Sequence, residues 1–265
     1  MTRIVDVLGV EFYPITLSGA CRSLDWMLSL NDGKTRVVVT GNPIMVMTAC
    51  TDPELAQILR DADLLVPDGV GIVWAARRAG RNLPERVTGV DLTRYLLSKK
   101  PSPRLFLLGG KPGVADRARE CLAMKMPWVR IAGSHHGYFR PDEEAAVVEK
   151  VKASRAEVVL AGMGSPRQEK FLWKNRAALG AKCGMGVGGV LDILAGDKDL
   201  TPEVLRKAGL EWLHRLVREP GRFKADLKIF EFALRVLSGA LFSKGKEREG
   251  DQDDDDQGFF DARHV

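Results

Sequence analysis

The amino-acid sequence predicts an α/β fold: a Rossmann-like, mostly parallel sheet with helices on both faces, a small N-terminal β element and a C-terminal helical appendage. Apolar runs of strand length alternate with segments whose apolar residues recur at helical spacing. The strand-length runs are apolar almost throughout, which is typical of parallel strands buried on both faces. Most runs end in glycine and short polar residues, and ligands of open α/β sheets bind at the carboxyl ends of the strands.

The elements are predicted in chain order from these patterns. Residues 4–13 predict a small hairpin or edge element, and residues 17–30 predict a helix. Apolar runs predict strands at residues 36–40, 64–66, 105–108, 129–132, 158–161 and 182–187. Helical patterns occupy residues 52–60, 70–79, 91–98, 114–124, 143–153 and 168–178, and a short helix ends at residue 194. We expect Thr51 to cap the first of these helices, ahead of Pro53, and Gly80 to stop the second.

Charge and apolar spacing divide the chain into three parts. Residues 1–200 are predicted to form the α/β core, residues 201–245 a basic amphipathic appendage, and residues 246–265 an acidic disordered tail. Apolar residues of the appendage recur at helical spacing: Phe223, Leu227, Phe230, Ala233, Leu234, Leu237 and Leu241. With basic residues between them, they predict a helix that either lies in the lipid headgroup region or packs on the enzyme or a partner subunit.

Composition limits the compartment and the class of protein. With 265 residues, 45% of them hydrophobic, the chain is long enough for a sizeable core. It holds no run of about eighteen uncharged apolar residues, so no membrane-spanning helix is expected. Asp6 and Glu11 interrupt the apolar N-terminus, which therefore does not read as a signal peptide. Four widely separated cysteines fit a reducing compartment and predict neither a disulfide framework nor a zinc site.

The formal net charge is +5, and basic residues are dense from Arg206 to Arg248. A basic segment of this kind suits nucleic acid, anionic lipid or a phosphorylated substrate. Because no RNA-binding signature or zinc finger accompanies it, we expect no nucleic-acid partner.

Glycine-rich segments follow the predicted strands and indicate an anion-binding site. They read TGNP, PDGVG, GGKPG, AGSHHG, GMGSPRQE and GVGGVLD. Glycine lets backbone amides approach a phosphate closely, and the N-termini of the following helices favour negative charge. These segments predict a nucleotide or sugar-nucleotide pocket, unless the glycines only turn the chain. The candidate substrate-binding glycines are Gly69, Gly109, Gly110, Gly137, Gly164 and Gly188.

Three other motifs suggest competing chemistry. Residues 184–189, GMGVGG, fit the dinucleotide pattern G-x-G-x-x-G but fall in the last βα unit, so an NAD-binding oxidoreductase remains an alternative. Two D-x-D pairs, at residues 61–63 and 197–199, are either ligands for a cation on a diphosphate or solvated turn carboxylates. His135 and His136 end a strand and either contact substrate or serve the structure. We predict no metal site and no cofactor.

Asp68 is the carboxylate that the pattern singles out. It lies between the apolar run LLVP and the next helix, with Pro67 before it and Gly69 and Gly71 leaving room around it. A carboxylate at such a strand end that faces a pocket is partly screened from water. Partial burial raises its pKa, which allows it to act as a general base. The alternative is a turn-forming Asp-Gly pair.

Several blocks of the chain, in order over roughly residues 30–225, resemble the WecG/TagA/CpsF family of glycosyltransferases, glycosyltransferase family 26. The residues are Thr40-Gly-Asn42, ADLLVPDGVGIVWAARRAG at 62–80, Val87-Thr-Gly89-Val-Asp91-Leu and LFLLGGKPGVA at 105–115. Further blocks are Gly137-Tyr-Phe, GMGSPRQEKF at 162–171, GVGGVLDILAG at 186–196 and LEWLHRLVREPGRF at 210–223. The coincidence of many blocks makes this resemblance far more specific than any lone glycine motif.

The resemblance implies an inverting, metal-independent enzyme at the cytoplasmic face of the membrane. It would move a hexose or an N-acetylhexosamine of the N-acetylmannosamine type from a UDP-sugar to a polyprenyl-diphosphate-linked saccharide, in cell-surface polysaccharide or teichoic acid synthesis. On this pattern Asp68 is the base, and Thr40 and Asn42 lie near the sugar and the reacting centre.

The family pattern also implies binding residues. Gln168, with Glu169 beside it, maps onto a nucleotide or sugar contact, and Arg215 and Arg222 map onto arginines that approach the diphosphate without a metal. A lipid-linked acceptor must be met at the membrane surface, which favours membrane contact for the amphipathic appendage. Relatives suggest that the protein also associates with itself as a homo-oligomer.

The sequence departs from the family pattern at two positions. Leu200-Thr201-Pro202 stands where an Arg-Ala-Pro triplet is frequent, and Ala225 stands where a third appendage arginine is common. These two departures keep open the alternative of a catalytically inactive, membrane-docking nucleotide-binding protein. The acidic tail is a third departure, since it has no counterpart in the family pattern.

Overall fold

The computed structural model describes residues 4–202, residue 205 and residues 223–239. An antiparallel hairpin of β1 (Val5–Val7) and β2 (Val10–Phe12) comes first, as predicted. The other strands form one parallel sheet: β3 (Arg36–Gly41), β4 (Leu64–Pro67), β5 (Arg104–Gly109), β6 (Arg130–His135), β7 (Val158–Gly162) and β8 (Cys183–Gly186). Their spatial order is β4-β3-β8-β7-β5-β6. Since all six are parallel, their carboxyl ends meet along one edge.

Helices connect the strands. They are α1 (Leu17–Ser29), α2 (Pro43–Ala49), α3 (Pro53–Asp61), α4 (Val70–Arg78), α5 (Gly89–Ser98), α6 (Val114–Lys125), α7 (Glu144–Ala153), α8 (Arg167–Asn175), α9 (Val190–Leu194) and α10 (Phe223–Leu237). A single 3-10 turn, Pro141–Glu143, precedes α7. The predicted α/β class with a small N-terminal β element and a C-terminal helix is confirmed.

The sheet is buried on both faces, because alternate side chains of each strand enter two separate apolar clusters. One cluster combines α2, α3, α4, α7, α8 and α10 with strand residues Val37, Val39, Leu65, Phe106, Leu108 and Val159. The other combines α1, α5, α6 and α9 with Val38, Leu64, Val66, Leu105, Leu107 and Val158. Burial on both sides explains why these strands read as continuous apolar runs.

Two predictions about helices were wrong. Residues 43–49 form α2, where the sequence predicts no helix. The Asn42 side chain caps α2 by accepting a hydrogen bond from the Met45 amide at 3.0 Å, and Pro43 begins the helix. The cap of α3 is Asp52, whose Oδ1 accepts from the Leu55 amide at 3.0 Å, and not Thr51. In both cases a short polar residue directly before proline is the cap.

The C-terminal helix α10 packs on the core. Phe232 and Val236 are buried against α2 and α4, and Lys228 Nζ donates to Thr48 Oγ1 at 2.8 Å. No helix among the described residues is both long and apolar enough to cross a bilayer. The predicted boundary at residue 200 stays a prediction, and the acidic tail lies outside the described residues.

Candidate active site

A cleft of about 1160 Å³ opens at the carboxyl ends of the strands. Its walls come from the ends of β3, β4, β7 and β8, from the loops after β5 and β6, and from the first turns of α2, α5, α6 and α9. Several helices thus start at the cleft, and their N-terminal amides favour a bound anion. This is the position that the sequence predicted for a pocket.

Asp68 and Asn42 lie side by side at one end of the cleft. Gly41 and Pro67 are paired in register between β3 and β4, and each of the two polar residues directly follows one of them. The Asp68 amide donates to the Gly41 carbonyl at 2.8 Å, so the pairing extends one residue beyond the strands. Both side chains line the cleft, with Asp68 partly buried.

Thr40 lies deeper, and α5 begins beside it. Its side chain is 7% exposed and lines the cleft, and a Cβ atom at Gly89 would lie 3.5 Å from Thr40 Oγ1. Thr88 caps α5: its Oγ1 accepts from the Asp91 amide at 3.1 Å and donates to Asp91 Oδ2 at 2.6 Å. The start of a ten-residue helix therefore faces the same space as the proposed reacting groups.

Backbone hydrogen bonds join the glycine-rich loops after β5, β6 and β7. The Gly137 amide donates to the Gly110 carbonyl at 2.9 Å, and the Gly110 amide donates to the Gly162 carbonyl at 3.0 Å. Gly109 packs against this ladder so closely that a Cβ there would lie 2.4 Å from the Gly162 carbonyl oxygen. Only glycine fits at that position, because its φ of +153° and the missing side chain are both required.

Gln168 joins the loops after β7 and β8. Its Oε1 accepts hydrogen bonds from the Gly164 amide at 3.2 Å and from the Gly188 amide at 3.1 Å. Its Nε2 donates to Glu169 Oε1 at 2.7 Å. Gln168 thus lines the cleft and at the same time holds two of its loops together.

Glu169 is 1% exposed and lies behind Gln168 in the first turn of α8. Burial raises the pKa of this carboxyl above its ordinary value, against the opposing effect of the hydrogen bond from Gln168. Hydrogen bonds from the backbone of Glu169 itself and from Ser165 also oppose the effect of burial. The sequence marked this residue as a binding position and gave no sign that it is enclosed.

Most of the predicted site residues come together. The structure brings to the cleft lining Thr40, Asn42, Asp68, Gly110, Gly137, Gly164, Gln168 and Gly188. Three others adjoin lining residues: Gly69, Gly109 and Glu169. Arg215 and Arg222 lie outside the described residues. The roles assigned to all of these residues stay predictions.

The competing glycine motif has a packing explanation. A Cβ at Gly184 would lie 2.7 Å from Leu172 Cδ2, and one at Gly186 would lie 2.7 Å from Gln168 Nε2. These glycines let α8 approach β8 closely, which accounts for the G-x-G spacing without a dinucleotide.

The D-x-D pairs differ from one another. Asp63 Oδ2 accepts from the Val37 amide at 2.8 Å at the amino end of the sheet, which is a structural role. Asp197 and Asp199 line the cleft, and Asp197 forms an ion pair with Arg117. Within the described ranges no three His, Cys, Asp or Glu side chains converge as metal ligands. The predicted absence of a metal stays a prediction.

The two histidines lie next to the cleft rather than in its lining. His135 Nδ1 lies 2.7 Å from the His136 carbonyl oxygen, and the rings are 4.4 Å apart. Burial lowers the pKa of His135, so its neutral form is favoured. A structural role explains both contacts.

Sequence reasoning missed the basic side chains of the cleft, which are Arg86, Lys111, Arg117, Arg167 and Lys198. Arg167 is held by a hydrogen bond of 2.8 Å to the Phe139 carbonyl and by stacking on that ring. These residues follow no common motif. Lys111 lies in GGKPG, Arg167 in GMGSPRQE and Lys198 between the aspartates of the second D-x-D pair, but none of the three was assigned a role. Their positive charges suit a phosphorylated ligand.

Comparison with known families agrees with this architecture. A model described as the glycosyl transferase WecG/TagA/CpsF family matches residues 5–246. The matched range covers the hairpin, the parallel sheet, every segment that lines the cleft and α10. The family implies a role in cell-surface polysaccharide synthesis. The chain therefore belongs to the WecG/TagA/CpsF family of glycosyltransferases.

Proposed function

We propose that this protein is an inverting, metal-independent glycosyltransferase that moves a hexose or an N-acetylhexosamine of the N-acetylmannosamine type from a UDP-sugar to a polyprenyl-diphosphate-linked saccharide. The observation that carries the proposal is the shared cleft. A partly buried carboxylate, Asp68, opens on the same space as glycine loops and helix N-termini suited to a diphosphate.

The reaction needs one base. Asp68 takes the proton from an acceptor hydroxyl as that oxygen forms a bond to the anomeric carbon of the donor sugar. The bond from that carbon to the UDP oxygen breaks on the opposite face, and UDP leaves with the electron pair. The configuration of the anomeric carbon is thereby inverted. Thr40 and Asn42, which line the cleft beside Asp68, position the sugar.

Donor binding is assigned to the other end of the cleft. The loops that contain Gly110, Gly137, Gly164 and Gly188 are assigned to the nucleotide and its diphosphate, because they line the cleft together with the N-termini of α5, α6 and α9. Positive charge stabilises the leaving UDP, since one further negative charge develops on its diphosphate as the bond to the sugar breaks. Arg215 and Arg222 are proposed for this role on the family resemblance alone.

The acceptor and the membrane are assigned to the surface formed by α4 and α10. Large apolar side chains there are 39–68% exposed: Val70, Trp74, Leu227, Phe230, Leu234 and Leu237. Basic side chains Arg77, Arg78 and Arg235 accompany them. This composition suits the headgroup region of an anionic bilayer, and α4 begins directly after Asp68-Gly69. We therefore propose a peripheral position at the inner face of the cell membrane.

The full-length protein with a panel of UDP-sugars and a short polyprenyl-diphosphate disaccharide tests the function. We expect UDP release with one donor only when the acceptor is present. UDP binding without turnover across the panel would instead identify an inactive nucleotide-binding protein. Tight binding of NADH in a fluorescence titration would favour the oxidoreductase alternative.

A further inference from the structure

A buried carboxyl group close to the cleft has no part in the reaction just described. Glu169 is 1% exposed, although Gln168 next to it reaches the cleft. Burying a carboxyl group is costly unless it makes specific hydrogen bonds. Its presence in the first turn of α8 therefore requires a structural or functional reason.

The contact between Glu169 and Gln168 decides how the Gln168 amide is oriented. A glutamine amide carries an acceptor oxygen on one side and a donor NH2 group on the other. Glu169 Oε1 accepts from Nε2 at 2.7 Å, which turns Oε1 of Gln168 toward the Gly164 and Gly188 amides. With the amide reversed, its NH2 group would face two backbone donors, and neither loop would have an acceptor.

Gly186 provides the space for this arrangement. A Cβ at Gly186 would lie 2.7 Å from Gln168 Nε2 and 2.8 Å from Glu169 Oε1. The end of β8, which precedes one of the two linked loops, is thus shaped around the pair. Burial also raises the pKa of Glu169, so the neutral carboxyl, whose carbonyl oxygen accepts and whose hydroxyl bears the proton, is favoured.

We propose that Glu169 is a positioning residue: it holds the Gln168 amide in the one orientation that ties the loops after β7 and β8 together on the donor side of the cleft. The assignment of this side to the donor rests on the function proposed above, whereas the link between the loops does not. Glu169 acts through Gln168 and is not expected to touch substrate.

Amide hydrogen exchange of the protein without nucleotide tests the link directly. In the wild-type protein we expect protection of the Gly164 and Gly188 amides, even though both residues line an open cleft. Glu169→Leu removes the acceptor of the Gln168 Nε2 hydrogen bond, so the Gln168 amide is no longer held in one orientation. The Gly164 and Gly188 amides should then exchange about tenfold faster or more. Glu169→Gln keeps a carbonyl acceptor in the same place and should retain the protection.

Leu172→Ala is the matched control. Leu172 is fully buried on the same helix and packs on Gly184, and it takes no part in the hydrogen bonds that Gln168 makes. This variant should lower the unfolding free energy. The Gly164 and Gly188 amides should then exchange only as much faster as the lower unfolding free energy requires. Equal exchange in Glu169→Leu and Leu172→Ala at matched stability would overturn the proposal. If Glu169→Leu does not fold, the wild-type protein alone tests the proposal, and rapid exchange of its Gly164 and Gly188 amides would overturn the proposal.

Kinetics then connect the link to donor binding. With an active donor and acceptor pair, Glu169→Leu should raise KM for the UDP-sugar about tenfold and change kcat much less, because Asp68 follows β4, which β3 and β8 separate from β7. Glu169→Gln should restore KM. If no UDP-sugar binds to the wild-type protein, the proposed function fails. The exchange experiment still tests whether Glu169 maintains the link between the loops after β7 and β8. A fall in kcat alone, with KM unchanged, would contradict the positioning role.

Discussion

The two ends of the cleft are built by different means. At the β3–β4 end, polar side chains line it: Thr40, Asn42 and Asp68 lie at or directly after paired strand ends, and Asn42 also caps a helix. At the β5–β8 end, glycine-rich loops line it, and main-chain hydrogen bonds link Gly137 to Gly110 and Gly110 to Gly162. A side-chain group can be removed without moving the backbone, whereas a main-chain site depends on conformations and close approaches that require glycine. Substitutions at the two ends should therefore fail in different ways.

The largest effect is expected from Asp68→Asn at the β3–β4 end. The amide cannot accept the proton, so turnover should fall by about 100- to 10,000-fold. UDP affinity and unfolding free energy should stay close to wild type, because the backbone pairing is retained. UDP release and titration calorimetry measure the two properties. Asp61→Asn, on the exposed end of α3, is the control and should keep full turnover. Retained turnover in Asp68→Asn would contradict the assignment of Asp68 as the base.

Gly109→Ala should produce the opposite kind of failure at the β5–β8 end. The new Cβ would lie 2.4–2.6 Å from Gly162 backbone atoms, so the strand ends must separate. We expect a loss of about 3 kcal/mol in unfolding free energy, measured by chemical denaturation, together with weaker UDP binding. Gly33 also has a positive φ, of +75°, but a Cβ there would have no neighbouring atom within 4 Å, so Gly33→Ala should cost only about 1 kcal/mol. Equal losses in both variants would show that backbone conformation, not close packing, requires Gly109.

Asn42→Ala should combine both kinds of effect on a smaller scale. Loss of the cap of α2 should cost about 1 kcal/mol of unfolding free energy. Turnover should also fall by about tenfold, because Asn42 lines the cleft beside Asp68. Asp52→Ala removes the corresponding cap of α3, away from the cleft, so it should lose similar stability without the loss of turnover. Parallel losses of turnover in both variants would mean that Asn42 acts only as a cap.

The smallest effect is the pH dependence of stability that the buried Glu169 carboxyl produces at the β5–β8 end. Burial raises the pKa of Glu169 above its ordinary value of 4.5. At pH values between 4.5 and the raised pKa of the folded state, the folded protein holds a proton on Glu169 that the unfolded protein has lost. The contribution of this group to stability is therefore complete below pH 4.5 and is lost as pH rises through the folded pKa. The slope is at most about 1.4 kcal/mol per pH unit. Glu169→Gln should remove this slope when denaturation is measured from pH 5 upward. An unchanged difference between the two proteins at all pH values would contradict a proton held by Glu169.

The sequence was a good guide wherever a local pattern was long or repeated. Strand positions were predicted to within a few residues, because strands buried on both faces are continuous apolar runs. Helix α2 was missed because it is only seven residues long and follows directly on β3, which leaves little room for a helical pattern. The same short signal, a polar cap before proline, begins α2 at Asn42 and α3 at Asp52.

Candidate site residues were predictable where they stood at strand ends. Thr40, Asn42 and Asp68 follow apolar runs, and parallel strands bring such ends together. Arg86 and Arg117 belong to no such pattern, and nothing in their neighbours indicated that they line the cleft. The same holds for Glu169, since the motif that contains it does not reveal which of two adjacent polar residues faces the cleft and which is enclosed.

The sequence by itself determined the α/β class, the positions of the strands and the glycine-rich ends that form the cleft, because each of these depends on neighbours along the chain. Only the tertiary structure decided that β8 lies between β3 and β7, that Gln168 links the loops after β7 and β8, and that Glu169 is buried behind it. It also decided that α10 buries Phe232 and Val236 while exposing the apolar stripe of Leu227, Phe230, Leu234 and Leu237. These features arise from contacts between residues far apart in the chain, and such contacts leave no periodic signal in the sequence.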